Sequence, residues 1–229
     1  FSVGKFAAWA RELKSAEMKK DEANRAKASQ TAKGRGSAEG KALVNPLHLF
    51  FRLEDKLDEN SILVADGGDF VATASYILRP RGPLTWLDPG AYGTLGVGAG
   101  FALGAKLVHP EAEVWLVWGD GSAGYSIAEF DTFKRHGVAV IGLVGNDACW
   151  TQIEREQVPM FGTDVTCALE YREYDTVSKG YGSAGIECER PSDVDAALEK
   201  AKDLARSGIP VVVNVHIGKT DFREGSLSV

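Results

Sequence analysis

Asp120 and Asp147 are the residues in this sequence best placed, by type and setting, to do chemistry. Each follows an apolar run, Val114–Trp118 and Val138–Val144. Each sits in a polar turn marked by glycine, Gly119-Asp120-Gly121-Ser122 and Gly145-Asn146-Asp147. Glycines at 119 and 121 let the backbone turn sharply and approach an anion with no Cβ in the way. A carboxylate there offers a hard oxygen, and Mg²⁺ is ordinarily held by one or two carboxylates together with phosphate oxygens and water. The amides of Ser122 and Ala123 fall at the start of a helical pattern, where unpaired N–H groups and the helix dipole favour phosphate. The chemistry suggested is a divalent metal holding a diphosphate. Taken alone, the GDG turn serves equally well as a helix cap and a chain reversal. The second acidic turn, at a fitting distance, favours the ligand site.

Between the two turns Tyr125, Ile127, Phe130 and Phe133 recur at roughly helical spacing. Strand, helix and strand then form a βαβ unit with a right-handed crossover. Its strands end on one edge of a parallel sheet, the edge at which open α/β sheets bind ligands. A similar unit stands upstream: the short strand Ile62–Ala65, the turn Asp66-Gly67-Gly68-Asp69, and a helix Phe70–Leu78. The run Gly90 to Gly100 mixes five glycines with Tyr92, Leu95 and Val97 and leads into a helix Phe101–Val108. Such a mixture suits close backbone approach rather than a linker. Beyond Trp150, Thr151–Gln157 reads as a short helix. Gly180 to Gly185 matches GxGxxG in form, but it follows a helical segment rather than a strand, so it reads as a helix stop and not a dinucleotide site. A strand Ile186–Cys188, a helix from Pro191 to Arg206 and a buried strand Val211–Ile217 complete the pattern, followed by a polar tail.

The domain so outlined, residues 45–229, opens on Asn45-Pro46, an N-cap followed by proline at the first helical position, and a helix Leu47–Leu57. Its expected fold class is α/β, a parallel sheet with helices on both faces. Ahead of it, residues 1–22 place Phe6, Trp9, Leu13 and Ala16 on one face of a helix, expected to come from a preceding domain. Residues 23–44 are rich in Lys, Ala, Ser and Gly and are expected to be a flexible linker.

The 229 residues carry a net charge of −6, with 44% apolar and 25% charged side chains. That composition is ordinary for a globular chain, and the acidic balance argues against nucleic acid as a partner. No run of eighteen apolar residues is present, so no membrane span is expected, and no signal peptide is evident. Cys149, Cys167 and Cys188 are widely spaced, which suggests a reducing, intracellular compartment and no zinc site. His48, His109, His136 and His216 show no paired ligand spacing.

Gly119-Asp120-Gly121, twenty-four residues, then Asn146 resembles the signature of the thiamine diphosphate (ThDP) enzymes, with Asp147 where that family has a second Asn. The resemblance implies ThDP and Mg²⁺ as cofactors. It implies metal ligands at Asp120, at Asp147 and at the carbonyl of Cys149. The departure at Asp147 leaves Asn146 as the alternative ligand; register favours Asp147. It further implies diphosphate contacts at Gly68, Asp69 and Phe70, in addition to Gly119, Gly121, Ser122 and Ala123. The stretch Gly93-Thr94-Leu95-Gly96 resembles the family's Gly-Thr-Met-Gly turn. There the carbonyl of Gly93 would accept from the aminopyrimidine, and Leu95 would wedge beneath the cofactor. Trp150 joins the cofactor contacts, and Gln152 and Ile153 would border the reacting carbon. The segments DGGDF, RGPLTWLDPGAYGTLGVGAGFALGAK, GNDACWTQI and GKTDFREGS look most like the acetolactate synthase-like branch that acts on 2-hydroxyacyl-CoA, cleaving it to a shortened aldehyde and formyl-CoA.

The same resemblance implies an acyl-CoA or 2-oxo acid substrate and a homodimer or homotetramer. It also implies association with the endoplasmic reticulum membrane. The activating Glu would lie in a pyrimidine-binding domain of the same or a partner subunit, outside this sequence. An acetolactate synthase or 2-oxo acid decarboxylase, and a non-catalytic ThDP-binding module, stay open as other readings.

Overall fold

In the computed structural model, residues 3–34 and 42–226 are described. Helix α1 spans Val3–Ala28, beyond the expected end at residue 22. Residues 23–28, expected as linker, are therefore helical. The short strands β1 (Ala32–Lys33) and β2 (Ala42–Leu43) then pair antiparallel. The rest of the expected linker, residues 35–41, lies outside the described residues. The C-terminal part of α1 is tied to the domain. Asn45 Nδ2 donates to the carbonyls of Lys27 and Gln30 at 3.1 and 3.0 Å, and the Arg25 guanidinium lies 4.3 Å over the Phe51 ring. Its N-terminal half leaves Phe6, Trp9 and Leu13 exposed.

Helix α2 (Pro46–Glu54) begins as expected. Asn45 is its N-cap, its Oδ1 accepting from Leu47 N at 2.9 Å, with proline at the first position. Next come β3 (Ile62–Asp66), α3 (Gly68–Ile77), β4 (Trp86–Leu87), α4 (Gly98–Val108) and β5 (Val114–Gly119). The crossover after β5 is broken into α5 (Asp120–Ser126) and α6 (Glu129–His136), and it returns in β6 (Ile141–Asn146). Helix α7 runs Thr151–Phe161 and α8 runs Tyr174–Gly180. Strand β7 (Ala184–Cys188), helix α9 (Val194–Arg206) and strand β8 (Val211–His216) complete the domain. Gly180 to Gly185 ends α8 and enters β7, as its reading as a helix stop required.

Six strands form one parallel sheet in the order β4-β3-β5-β6-β8-β7. Strand side chains alternate, and each face carries its own core. Leu63, Trp115, Val117, Leu143 and Val213 pack with α2, α3 and α9. Val64, Leu116, Trp118, Val144 and Val212 pack with α4, α5 and α6. From β3 the chain moves outward to β4, whereas from β5 it moves the other way to β6. Strand order therefore reverses between β3 and β5. The helices that leave those two strands go to opposite faces, and a crevice opens at their carboxyl ends, the ligand position of open α/β sheets.

Candidate functional site: a carboxylate-lined crevice at the strand switch

A cavity of about 560 Å³ fills that crevice. The ends of β3, β5 and β6 are aligned by register, Asp66 beside Trp118 and Gly119 beside Gly145. Of the residues singled out from sequence, Gly68, Asp69, Phe70, Gly93, Leu95, Gly119, Asp120, Gly121, Ser122, Asp147, Cys149, Trp150, Gln152 and Ile153 line it. Thr94, Ala123 and Asn146 do not. Thr94 points to the surface. Ala123 is buried in the core against Leu116 and Trp118. Asn146 is fully buried, its Nδ2 donating to the Arg172 carbonyl at 3.1 Å and to Asn214 Oδ1 at 3.2 Å.

Two carboxylates dominate the floor. Asp120 is buried, and its Oδ1 accepts from Gly121 N at 2.8 Å. Its other oxygen is buried with no hydrogen-bond partner among the described residues. Burial, reinforced by the charge of Asp147, pushes the Asp120 carboxyl up to about 7. Burial also pushes Asp147 up to about 6, opposed by the Thr151 hydroxyl that donates to its Oδ2 at 2.5 Å and by the Lys219 charge. The turn that follows Asp147 passes through Ala148 at φ 57°, a left-handed conformation sparsely populated by residues with a side chain. Two acids that disfavour each other's ionisation, one with an orphaned oxygen, form a donor set suited to a hard divalent cation. Asp147, and not Asn146, lines the cavity beside Asp120.

The backbone is cut to fit around this pair. Gly121 lies flat against Trp150, where a Cβ would sit 2.3 Å from the indole. Gly67, the residue before α3, has φ 71°, and a Cβ there would fall 2.0 Å from Leu95 Cδ2. It caps α3 with no side-chain acceptor, so the first amides of that helix are left for a ligand.

Several lining residues were not singled out individually from the sequence. Trp86 donates from Nε1 to Asp88 Oδ2 at 2.8 Å, and Asp88 Oδ1 accepts from Gly90 N at 2.7 Å, fixing one wall. Arg223, from the polar tail, reaches the same cavity. Its Nε stands 3.8 Å from Asp69 Oδ1, while Arg155 on α7 donates to the other Asp69 oxygen. Asp69 thus joins α3 to α7 and to the tail. An adjoining cavity of about 290 Å³ is lined by Arg155, Lys219 and Arg223 with Asp69, Phe70 and Asp147.

Residues 66–215 match the family described as thiamine pyrophosphate enzyme, C-terminal TPP binding domain. The chain belongs to the thiamine pyrophosphate enzymes, and the cavity lies in its TPP-binding domain. Among individual proteins, it is 55% identical to 2-hydroxyacyl-CoA lyase 2 of Danio rerio over 223 residues, covering 96% of this chain and 35% of that protein. It is 51% identical to 2-hydroxyacyl-CoA lyase 2 of Homo sapiens, covering 96% and 34%. The acetolactate synthase large subunit IlvG of Mycobacterium tuberculosis is 36% identical over 173 residues, covering 75% of this chain and 31% of that protein. The chain spans about a third of the length of the curated relatives it matches. In fold it is similar to a Rhodococcus jostii RHA1 thiamine diphosphate-dependent 4-hydroxybenzoylformate decarboxylase, with a TM-score of 0.71 and 20% identity, covering 82% of this chain and 35% of that one.

Proposed function

We propose that this chain is the part of a ThDP- and Mg²⁺-dependent carbon–carbon lyase that holds the cofactor's diphosphate, the whole enzyme cleaving 2-hydroxyacyl-CoA to a shortened aldehyde and formyl-CoA. One observation carries the substrate class: 51–55% identity to proteins named 2-hydroxyacyl-CoA lyase 2 extends over nearly the whole chain. Likeness to the acetolactate synthase is weaker and covers less of it.

Asp120, Asp147 and the Cys149 carbonyl would hold Mg²⁺. The amides of Gly68 and Ser122 would take the diphosphate oxygens. Leu95, seated on Gly67, would support the cofactor's rings from below. When bound, the cofactor supplies a carbon nucleophile and an electron sink for the bond that breaks. The chain's own contribution is to orient that group and to line the space above it. Gln152 and Ile153, on the first turn of α7, line the cavity and would border that space. The Gln152 amide would donate to the oxygen on which charge develops, a role typically worth about 10²–10³ in turnover. Cleavage balances without a further reactant. The bond between C1 and C2 breaks, the 2-hydroxyl carbon leaves as aldehyde, and the thioester carbon takes a proton as formyl-CoA.

A pyrimidine-binding domain of the same or a partner subunit would add the activating Glu, in a homodimer or homotetramer. Association with the endoplasmic reticulum membrane belongs to the same proposal through the resemblance. Among the described residues no helix is long and apolar enough to cross a membrane. The test is to give the full-length protein a 2-hydroxyacyl-CoA and pyruvate in parallel and to identify products by mass. Formyl-CoA should form faster than acetolactate. Acetolactate as the dominant product would make the protein an acetolactate synthase instead.

A further inference from the structure

Among the described residues, Asp66 is the one fully buried carboxylate beside the cavity to which no role has yet been given. It ends β3, and its side chain leaves the sheet to meet the glycine-rich loop before α4. Gly96 N donates to Asp66 Oδ1 and Oδ2 at 3.0 and 3.1 Å, and Gly98 N donates to Oδ2 at 2.9 Å. Gly98 is the first residue of α4, and the residue before it, Val97, offers no side-chain cap. The carboxylate of a neighbouring strand therefore caps α4, at the end where the helix dipole favours negative charge. Burial holds its pKa above the ordinary carboxylate value, and the two amides offset only part of that rise.

The fit admits no slack. A Cβ on Gly98 would lie 2.7 Å from Asp66 Cβ, and one on Gly96, at φ 84°, would lie 2.7 Å from Tyr125 Cβ. Leu95 stands one residue before the first of these amides, and its Cδ2 fills the space over Gly67, one residue after Asp66. Diphosphate turn and apolar support are thereby clipped together through a single side chain.

We propose that Asp66 is a positioning residue for the cofactor: by holding the amides of Gly96 and Gly98 it fixes Leu95 over Gly67, so that the diphosphate turn and the support under the rings form one preorganised unit. The inference rests on ThDP binding in this cavity and is independent of which substrate is cleaved. Charge-assisted hydrogen bonds to a buried acceptor are among the stronger ones in proteins, and preorganisation of this kind is read directly in affinity.

The test measures ThDP affinity by calorimetry, with Mg²⁺ in excess, on the full-length protein and on Asp66→Asn, Leu95→Ala and the double variant. Asp66→Asn should weaken ThDP binding by at least about tenfold. In the Leu95→Ala background the same change should cost less than about twofold, since the support it positions is gone. Equal losses in both backgrounds, or unaltered affinity in Asp66→Asn, would overturn the assignment. Asp120→Ala, run alongside, separates this from the site itself: lost binding there with unchanged binding in Asp66→Asn refutes only the role of Asp66. Should Asp66→Asn not fold, hydrogen exchange of the wild-type 93–101 peptide decides. The proposal requires slow exchange at Gly96 and Gly98 before ThDP is added; fast exchange that slows only on binding would refute it.

Discussion

Asp120 holds a buried carboxyl oxygen that no described residue satisfies, and across the turn Asp147 faces the same space. In the full-length protein, Asp120→Ala should abolish Mg²⁺-dependent ThDP binding, measured by calorimetry, while the circular dichroism of the fold is unchanged. Asp147→Asn keeps an oxygen ligand and should be tolerated, whereas Asp147→Ala should not. Asn146→Ala should act differently. Removing a buried side chain that bridges β6 to Asn214 and the Arg172 carbonyl should lower stability by roughly 1–3 kcal/mol and leave the metal dependence intact. The spacing of motifs could not separate Asn146 from Asp147, because neighbours in sequence differ only in which way the strand's last pleat points. The pleat sends Asn146 to the α8 side of the sheet and leaves Asp147 beyond its edge.

The raised carboxyls give a pH dependence of definite sign. In the metal-free protein, Asp120 titrates near 7 when folded, against an ordinary value of 3.8. Over that window the folded state binds more protons than the unfolded state, so stability from this group is present at low pH and is lost as pH rises to about 7. The melting temperature of the metal-free wild type, relative to Asp120→Asn, should fall between pH 5 and pH 8. Mg²⁺ at pH 8 should reverse the fall, because a cation stabilises the ionised pair and its binding releases protons. A flat difference across that range would show that Asp120 keeps an ordinary pKa.

At the scale of elements, α7 carries the pocket residues Gln152 and Ile153 yet has no buried residue of its own. Its first turns are held from outside, by Thr151 on Asp147, Arg155 on Asp69 and Glu154 on Lys219. Asp69→Asn should loosen this helix and the tail together. Hydrogen exchange should speed up over residues 151–161 and 220–226, with a stability loss of roughly 1–3 kcal/mol; exchange confined to its former rate would mean that Asp69 is not the anchor. These ties were not legible in the sequence. Asp69, Arg155 and Arg223 lie far apart along the chain, and the tail offered no hydrophobic period to place it. Strands β3, β5, β6, β7 and β8 and the glycine-marked turns after β3, β5 and β6 were legible, since a buried parallel strand is a short apolar run and its turn is local; the two-residue edge strand β4 was not. The expected helix after β5 proved to be two, α5 and α6. Strand β6 starts at Ile141, where pairing with Trp115 begins, rather than at Val138.

At the scale of the molecule, the reversal of strand order between β3 and β5 gathers the Asp66–Asp69, Gly119–Ser122 and Asn146–Trp150 turns at one crevice. The βαβ reading required that common edge. It did not reveal the contact between Asp66 and the loop before α4, because a carboxylate capping a helix from a different element leaves no pattern along the chain. On the proposed reading, the whole is the diphosphate-holding part of an active site whose proton-transfer machinery lies elsewhere. The most direct measurement is turnover of a 2-hydroxyacyl-CoA by the 229-residue chain and by the full-length protein, each loaded with ThDP and Mg²⁺, with aldehyde and formyl-CoA quantified by mass. The full-length protein should release both products and the chain alone neither. Formyl-CoA released by the isolated chain would place the activating acid within these residues and contradict the account.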